Sequence, residues 1–336
     1  MSGRVHLAEW VSAGHPDRLA DAIAERCVEH ALAHDPDALV GIEVAVHRKT
    51  VFVDGRIAAG ANGPGAPEDF LPELCRGAYR AAGFGGRWSP APEDLVVLHD
   101  LCVGPLVPDE RSIRPFSDDQ NVVVGYACGD ERTEYLPAAH WLARKLGERV
   151  SAWRTREAAD RFGPDFKLLP VLEEHRLPGG GTRWNWRRLV LSIQHAPGLS
   201  YREQYGALGP LVEKTLSEFE AVLPGAGTSF TSAALHLNGA GDFSCGGPEG
   251  DNGLSGKKLV VDHYGPSVPI GGGAIFGKDP HKVDRRGAKR AREKAIELVK
   301  GGAREARVTL AWAPGETEPF VAEAETRDAA GVWRIV

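Results

Sequence analysis

The sequence predicts an α+β protein, and three observations point there. Segments of alternating apolar and polar residues are interleaved with segments of helical periodicity, without the strict strand–helix–strand rhythm of a parallel α/β sheet. The 336 residues are 42% hydrophobic, enough to bury two or three cores. A glycine-dense stretch from Asn238 to Gly277 is too polar for a core and too long for a plain connector.

The elements follow in order. Pro16 suits a first helical turn, and Leu19, Ile23 and Cys27 form one apolar stripe, so a helix is predicted from Pro16 to His34 and ended by Asp35-Pro36. Leu39–Val46 and Val51–Val53 read as paired strands closed by an Asp54-Gly55 turn. Asn62–Pro67 is a loop, Leu71–Ala82 a helix and Leu95–Leu98 a buried strand. Residues 104–118 are rich in proline and charge and read as an exposed, mobile loop. Asn121–Ala127 is a short strand, Leu136–Val150 and the stretch after Ser151 are helical, Arg188–Gln194 is a strand and Arg202–Leu223 helical. After the glycine-dense span a helix runs to Lys300, stopped by Gly301-Gly302, and Arg307–Trp312 and Val332–Val336 close the chain as strands. No sequence repeat is present.

Composition excludes several classes. A net charge of −6 argues against a general nucleic-acid binder. The basic residues bunch at Lys257-Lys258 and from Lys278 to Lys294, which suits a small anionic ligand, although Arg285–Lys294 reads more simply as a solvated helix face. No stretch approaches ~18 consecutive apolar residues, and the start, MSGRVHLAEW, has no apolar signal core. The five cysteines have no CxxC spacing, which suits reduced, mostly buried thiols in a cytoplasmic protein and no zinc site.

The chemistry-bearing residues begin with Gly271–Pro280. Glycines let backbone N–H groups approach an anion, and Lys278 adds a point charge. From Gly272 the stretch nearly matches a P-loop, but Asp279 stands where a P-loop has the Ser or Thr that ligates Mg²⁺, and Pro280 disfavours a continuing helix. A plain glycine-rich turn is the remaining reading. His15, Asp17 and Arg18 lie at a helix N-terminus, where anions are favoured, and Asp17 is equally explained as a helix-capping carboxylate. Glu43 sits among Val40, Ile42, Val44 and Val46; it is either paired, cation-binding or simply outward-facing on its strand.

Three stretches in order give these residues a common context. They are Ser12–Asp21, then Asp119-Gln120 with Gly125-Tyr126-Ala127, then Gly246-Gly247-Pro248 through Asp251–Lys258 and Val261–Gly265 to Gly271–Asp284. Asp165-Phe166-Lys167 and Leu191–His195 are weaker matches. Together they resemble the S-adenosylmethionine synthetase (methionine adenosyltransferase) family from residue 12 to about residue 320.

That resemblance implies three similar α/β-layered domains in a pseudo-threefold arrangement, here 1–103, 119–231 and a shortened 232–336, with 104–118 as a gating-type loop. It implies a reaction in which the thioether of L-methionine displaces triphosphate from ATP, with the triphosphate then cut to diphosphate and phosphate. His15, Lys167, Lys278 and Lys282 resemble catalytic residues of the family, and with Ser192, Phe243, Asp251, Lys257 and Lys258 they resemble its ATP and triphosphate contacts. Phe243 resembles the aromatic that stacks on adenine; Asp119 and Asp251 resemble residues near the acceptor. Asp17 and Asp284 resemble Mg²⁺ carboxylates, for two ions per site, and Glu43 a potassium-site glutamate. The family packs as homodimers, or dimers of dimers, with active sites between subunits, and involves neither nucleic acid nor membrane.

Departures gather at the amino-acid end. The family glutamate for the methionine ammonium, in a G-G-E-I turn, is answered by Arg56 in Asp54-Gly55-Arg56-Ile57, and Val103 stands where the family has glutamine. Lys257 replaces an arginine and loses its bidentate fork. Four functions are therefore weighed: the family reaction; a relative with another acceptor, or one that cleaves triphosphate without adenosylating methionine; a catalytically dead ATP binder; and, from another class, a P-loop-like NTPase. The many lysines expected around one site speak against the dead binder. Arg56 and Val103 point to an altered acceptor, and the overall match points to the family reaction.

Overall fold

The computed structural model describes residues 3–178 and 181–336; Met1 and Ser2, at the start of the first expected domain, lie outside the described residues. The first elements are β1 (Arg4–Leu7), β2 (Trp10–Val11), α1 (Pro16–His34), β3 (Leu39–His47), β4 (Thr50–Ala58), α2 (Pro67–Ala82) and β5 (Val96–Gly104). Then come α3 (Pro108–Ser112), β6 (Asn121–Cys128), α4 (Ala138–Glu157), β7 (Phe162–Arg176), β8 (Thr182–His195) and α5 (Tyr201–Phe219). The last are β9 (Leu235–Leu237), β10 (Asn252–Leu254), α6 (Leu259–Asp262), α7 (Val283–Lys300), β11 (Glu305–Trp312), β12 (Val321–Arg327) and β13 (Trp333–Ile335). They form three sheets, each packed against helices, as the α+β expectation requires.

The chain divides into two compact units. The first comprises the residues up to His15, Gly129–Gly247 and Val260–Val268. Its five-stranded sheet has the order β1-β7-β8-β9, with β2 also on β7. α4 and α5 cover it, burying Leu142, Leu146, Leu208 and Leu216 against Phe162, Phe166, Leu189 and Leu191. Ser200 starts α5 with a reciprocal cap: its hydroxyl accepts from Glu203 N at 3.4 Å, and Glu203 accepts from Ser200 N at 2.9 Å. β7 is not legible in the sequence, because Gly163, Pro164, Asp165 and Pro170 interrupt its apolar pattern; it forms because β8 pairs with it at Phe162 and from Phe166 to Arg176, with the register shifting between Phe162 and Phe166.

The second unit comprises Pro16–Cys128, Pro248–Leu259 and Pro269–Val336. One sheet, β10-β3-β4-β5, packs against α1 and α2, and the predicted stripe Leu19, Ile23 and Cys27 is fully buried. The turn expected at Asp54-Gly55, after Val53, does not form: both residues pair inside β4 with Glu43 and Ile42, and the strand runs on to Ala58. β3 and β4 join at Arg48-Lys49, with His47 opposite Thr50 and Arg48 at φ 51°. Asp-Gly is a strong turn signal, but here pairing with β3 holds it in the ladder. The other sheet, β13-β12-β11-β6, packs on α7. The approach is so close that a Cβ on Gly125 of β6 would stand 2.1 Å from the Ala291 carbonyl of α7. β12 was also hidden in the sequence, since Glu323, Glu325 and Arg327 sit in an alternation with little apolar contrast.

Two further expectations change. The 104–118 segment carries α3 and is fastened by side chains described below. Cys27 and Cys75 are buried, and burial pushes the Cys27 thiol up to about 12, but Cys102 and Cys245 are exposed. Cys102 lies on an exposed position of β5 and Cys245 in the glycine-rich span, where neither has a core to enter. Among the described residues no helix is long and apolar enough to cross a membrane.

Candidate active site

In the second unit, one edge of β3 gathers two distant stretches of chain. β10 pairs with it, and beyond β10 Ser255 N donates to Val44 O at 2.9 Å. Further along the same edge Ile42 N donates to Gly277 O at 3.0 Å and Asp279 N to Val40 O at 3.1 Å. The first turn of α1 closes against β10 and the residues after it: Leu254 N donates to Asp17 at 3.0 Å, and Gly256 N to Asp21 at 2.8 Å. A Cβ on Gly253 would stand 2.2 Å from the Pro16 backbone, so only glycine permits this approach. The three motifs that begin near residues 16, 252 and 271 thus meet around β3.

Their charges are paired. Asp17, almost fully buried, bonds Lys258 and lies 3.7 Å from Lys257. Lys278 stands 2.9 Å from Asp284, whose other oxygen accepts from Asn121 at 2.7 Å. Asp284 lies in the first turn of α7, where the helix dipole favours a carboxylate. Lys282 bonds Asp118. Asn121 is a partner that the residue pattern did not single out; its signal was nearness to Asp119, which itself is exposed and accepts from Gln120 N at 2.7 Å. Asp251 is likewise exposed and accepts from Asn252 N at 2.8 Å.

Asp279, which spoils the P-loop match, is a structural carboxylate. It is fully buried, accepts from Val40 N at 2.8 Å and His281 N at 2.9 Å, and bonds Arg114. Lys278 precedes α7 by several residues instead of opening it, so the P-loop geometry is absent.

The 104–118 segment is held by arginines. Arg111 bonds Asp35 and stands 2.7 Å from Asp37; its hydrogen bond holds the Asp35 carboxyl below the usual carboxylate range. Arg114 also donates to Ala38 O at 3.0 Å, and Arg286 donates to Pro115 O at 2.9 Å. Arg56 turns to Glu110 of α3, with its Nε 2.9 Å from the carboxylate. The reversed charge at position 56 is therefore neutralised within the chain. Val103 is half-buried and pairs with Ile57 across β5 and β4. Glu43 is exposed and accepts from the Ser255 hydroxyl at 2.8 Å.

The remaining predicted residues belong to the first unit. His15 is buried, and its N–H donates to Ser12 O at 3.1 Å. The β7–β8 register sets exposed Lys167 opposite Ser192. Asp165 accepts from Gly247 N at 2.8 Å. Phe243 is half-exposed and is bonded through its backbone to His195.

Family models of the S-adenosylmethionine synthetase N-terminal, central and C-terminal domains match residues 4–69, 116–243 and 245–332. An S-adenosylmethionine synthase of Zymomonas mobilis is 34% identical over 328 residues, covering 95% of this chain and 80% of the relative. The chain belongs to the S-adenosylmethionine synthetase family. A second relative, the S-adenosylmethionine synthase of Rhizorhabdus wittichii, is 33% identical over 330 residues, with 95% and 80% covered. The fold also matches a solved structure described as an unusual S-adenosylmethionine synthetase from Campylobacter jejuni. The TM-score is 0.82 and the identity 26%, covering 96% of this chain and 81% of that one. As a member of this synthetase family the chain is a transferase-type enzyme, and the P-loop NTPase reading falls away.

Proposed function

We propose that this synthetase-family chain transfers the adenosyl group of ATP to the thioether sulfur of L-methionine and then hydrolyses the released triphosphate, with one water as the acceptor, to diphosphate and phosphate. The observation that carries this is the meeting of the three motifs on β3, which sets Lys257, Lys258, Lys278 and Lys282 against Asp17, Asp284 and Asp118. Such an array suits a polyanion. Each lysine already has a carboxylate partner, so the site is nearly balanced until an anion and a cation enter together.

In the reaction, a sulfur lone pair forms the S–C5′ bond as the C5′–O bond breaks, and the electron pair leaves with the triphosphate oxygen. The sulfur becomes a sulfonium. A thioether has no proton to lose, so no general base is needed at this step. The demand is for positive charge around the leaving group, which the lysines supply on this reading, with His15 and Lys167 as further contacts. Phe243 supports the adenine, and Ser192 and Asp251 line the nucleotide, as the family resemblance implies.

Magnesium fits the residues present. Among the described residues no three His, Cys, Asp or Glu side chains converge into an all-protein cage. Mg²⁺ characteristically takes one or two carboxylates and completes its shell with substrate phosphates and water. Asp17 and Asp284 would hold it, and it would supply charge to the triphosphate oxygens. Potassium would be held at Glu43, which accepts from the Ser255 hydroxyl, as the family resemblance implies, and no step is derived through it.

The deciding experiment is mass spectrometry of products from ATP, Mg²⁺ and L-methionine, run beside de-aminated and acidic thioethers. S-adenosylmethionine with diphosphate and phosphate is the expected outcome. An inert methionine with a consumed acidic analogue would favour the altered-acceptor reading that Arg56 and Val103 suggested. The Arg56–Glu110 pair supports methionine, because the guanidinium is already engaged. Asp119 remains a further contact to the acceptor on this reading. Glu110→Gln exposes the Arg56 charge and raises KM for methionine on the order of fivefold, the scale of a partly exposed ion pair, with KM for ATP little changed. Equal shifts in both constants would refute this role for the pair.

Assembly is proposed as a homodimer of a cytoplasmic enzyme, with sites shared between subunits, and with 1–103, 119–231 and 232–336 as domains joined by 104–118. Supporting it, the strand register aligns Leu254, Ala45, Phe52 and Leu98 in one row across a sheet, with Leu254, Phe52 and Leu98 exposed by 47%, 39% and 51%. Light scattering is expected to report at least a dimer, weakened by Phe52→Glu. An active monomer contradicts the shared site.

A further inference from the structure

Phe243 has a backbone held more firmly than its surroundings explain. It follows Gly239 and Gly241 in a stretch without regular secondary structure, is half-exposed, and belongs neither to the hydrophobic core of its unit nor to the residues packed on it. Yet both of its backbone polar groups are bonded to one residue. His195 N donates to Phe243 O at 3.0 Å, and Phe243 N donates to the His195 side chain, Nε2, at 3.1 Å.

His195 is the last residue of β8 and is buried, with 2% of its surface exposed. Its Nδ1 lies 3.0 Å from Ala196 O. A carbonyl can only accept, so Nδ1 carries the proton and Nε2 presents a lone pair. That lone pair receives the Phe243 N–H, while His195 N donates to Phe243 O. The ring lies over Gly246, where a Cβ would stand 3.0 Å from Phe243 Cε2. The charged group facing Nε2 is Asp242, 3.3 Å away and largely exposed, itself bonded by the Ser244 hydroxyl at 3.0 Å.

We propose that His195 is a positioning residue for Phe243: its Nε2 fixes the backbone of an aromatic platform for the nucleobase, and so sets affinity for the base end of the nucleotide. The inference rests on the reading of Phe243 given above. A half-exposed ring on a backbone bonded at both polar groups suits a flat ligand, and base–aromatic stacking depends on where the ring is fixed.

The test separates base from triphosphate. His195→Asn keeps a donor near Ala196 O but has no acceptor at the reach of Nε2. His195→Leu removes both, and His195→Gln restores an acceptor near that reach. KM for ATP and the inhibition constant of inorganic tripolyphosphate are measured for each. In His195→Asn and His195→Leu, KM for ATP rises about tenfold, within the range of one stacked base, while tripolyphosphate inhibition stays within about twofold of the parent. His195→Gln recovers most of the loss. Equal weakening of ATP and tripolyphosphate, or no change in KM for ATP in either loss variant, overturns the proposal. Phe243→Ala distinguishes the two levels. If it leaves KM for ATP unchanged, the platform reading itself fails; if it raises KM and the His195 variants do not, only the positioning role fails.

Discussion

Alanine at Lys278 is expected to lower turnover by about two to three orders of magnitude, the scale of removing one preorganised electrostatic contact to a leaving group. Lys278 lies on the glycine-rich turn bonded along β3, and its ammonium is 2.9 Å from Asp284. Its backbone is bridged to Gly41, so on the proposed reading only the ammonium has to turn from Asp284 to the triphosphate. Asp284→Ala is expected to cost as much turnover but with a different signature. It frees Lys278 to grip phosphate in the ground state, so KM for ATP stays low while kcat falls; Lys278→Ala raises KM and lowers kcat. Steady-state kinetics with thermal melts check both. Near-parental turnover in the two variants would dismiss the triphosphate assignment.

The largest stability effect is expected at Asp279. This carboxylate is fully buried, accepts two backbone N–H groups and pairs with Arg114, whose own side chain is 7% exposed. Asp279→Ala leaves a buried guanidinium uncompensated and two donors unsatisfied. Breaking a buried pair from one side costs about 3–5 kcal/mol, and the variant should melt earlier and unfold at lower urea. Asp279→Asn keeps an acceptor for the backbone groups and loses less. A change below about 1 kcal/mol in Asp279→Ala would show that water reaches Arg114 and that the pair is not a fastening point. Because Arg114 belongs to the 104–118 segment, proteolysis within that segment should also accelerate in the alanine variant.

These two predictions concern neighbouring residues with opposite duties, and the sequence pattern does not separate them. Lys278 and Asp279 both looked like parts of one phosphate loop. The difference comes from β3: the backbone bridge at Gly41 leaves Lys278 partly exposed, while Asp279 points to Val40 N and disappears from solvent. A similar decision separates Asp118 from Asp119, adjacent carboxylates of which only the first reaches Lys282.

What the sequence determined by itself was local or combinatorial. α1 and α7 were legible because an apolar stripe and a breaker at each end act within a few turns. The lysines and aspartates proposed for the site could be singled out because their order along the chain is specific even when each motif is not. What tertiary structure alone decided was partnership. β7 and β12 exist because neighbouring strands satisfy backbones whose own side chains give no clear alternation. Arg56, read as a reversed charge offered to a ligand, meets Glu110 across 54 positions of chain. An ion pair depends on which two surfaces the fold brings within a few ångströms, and Coulomb attraction at that range outweighs any preference encoded beside the residue in sequence.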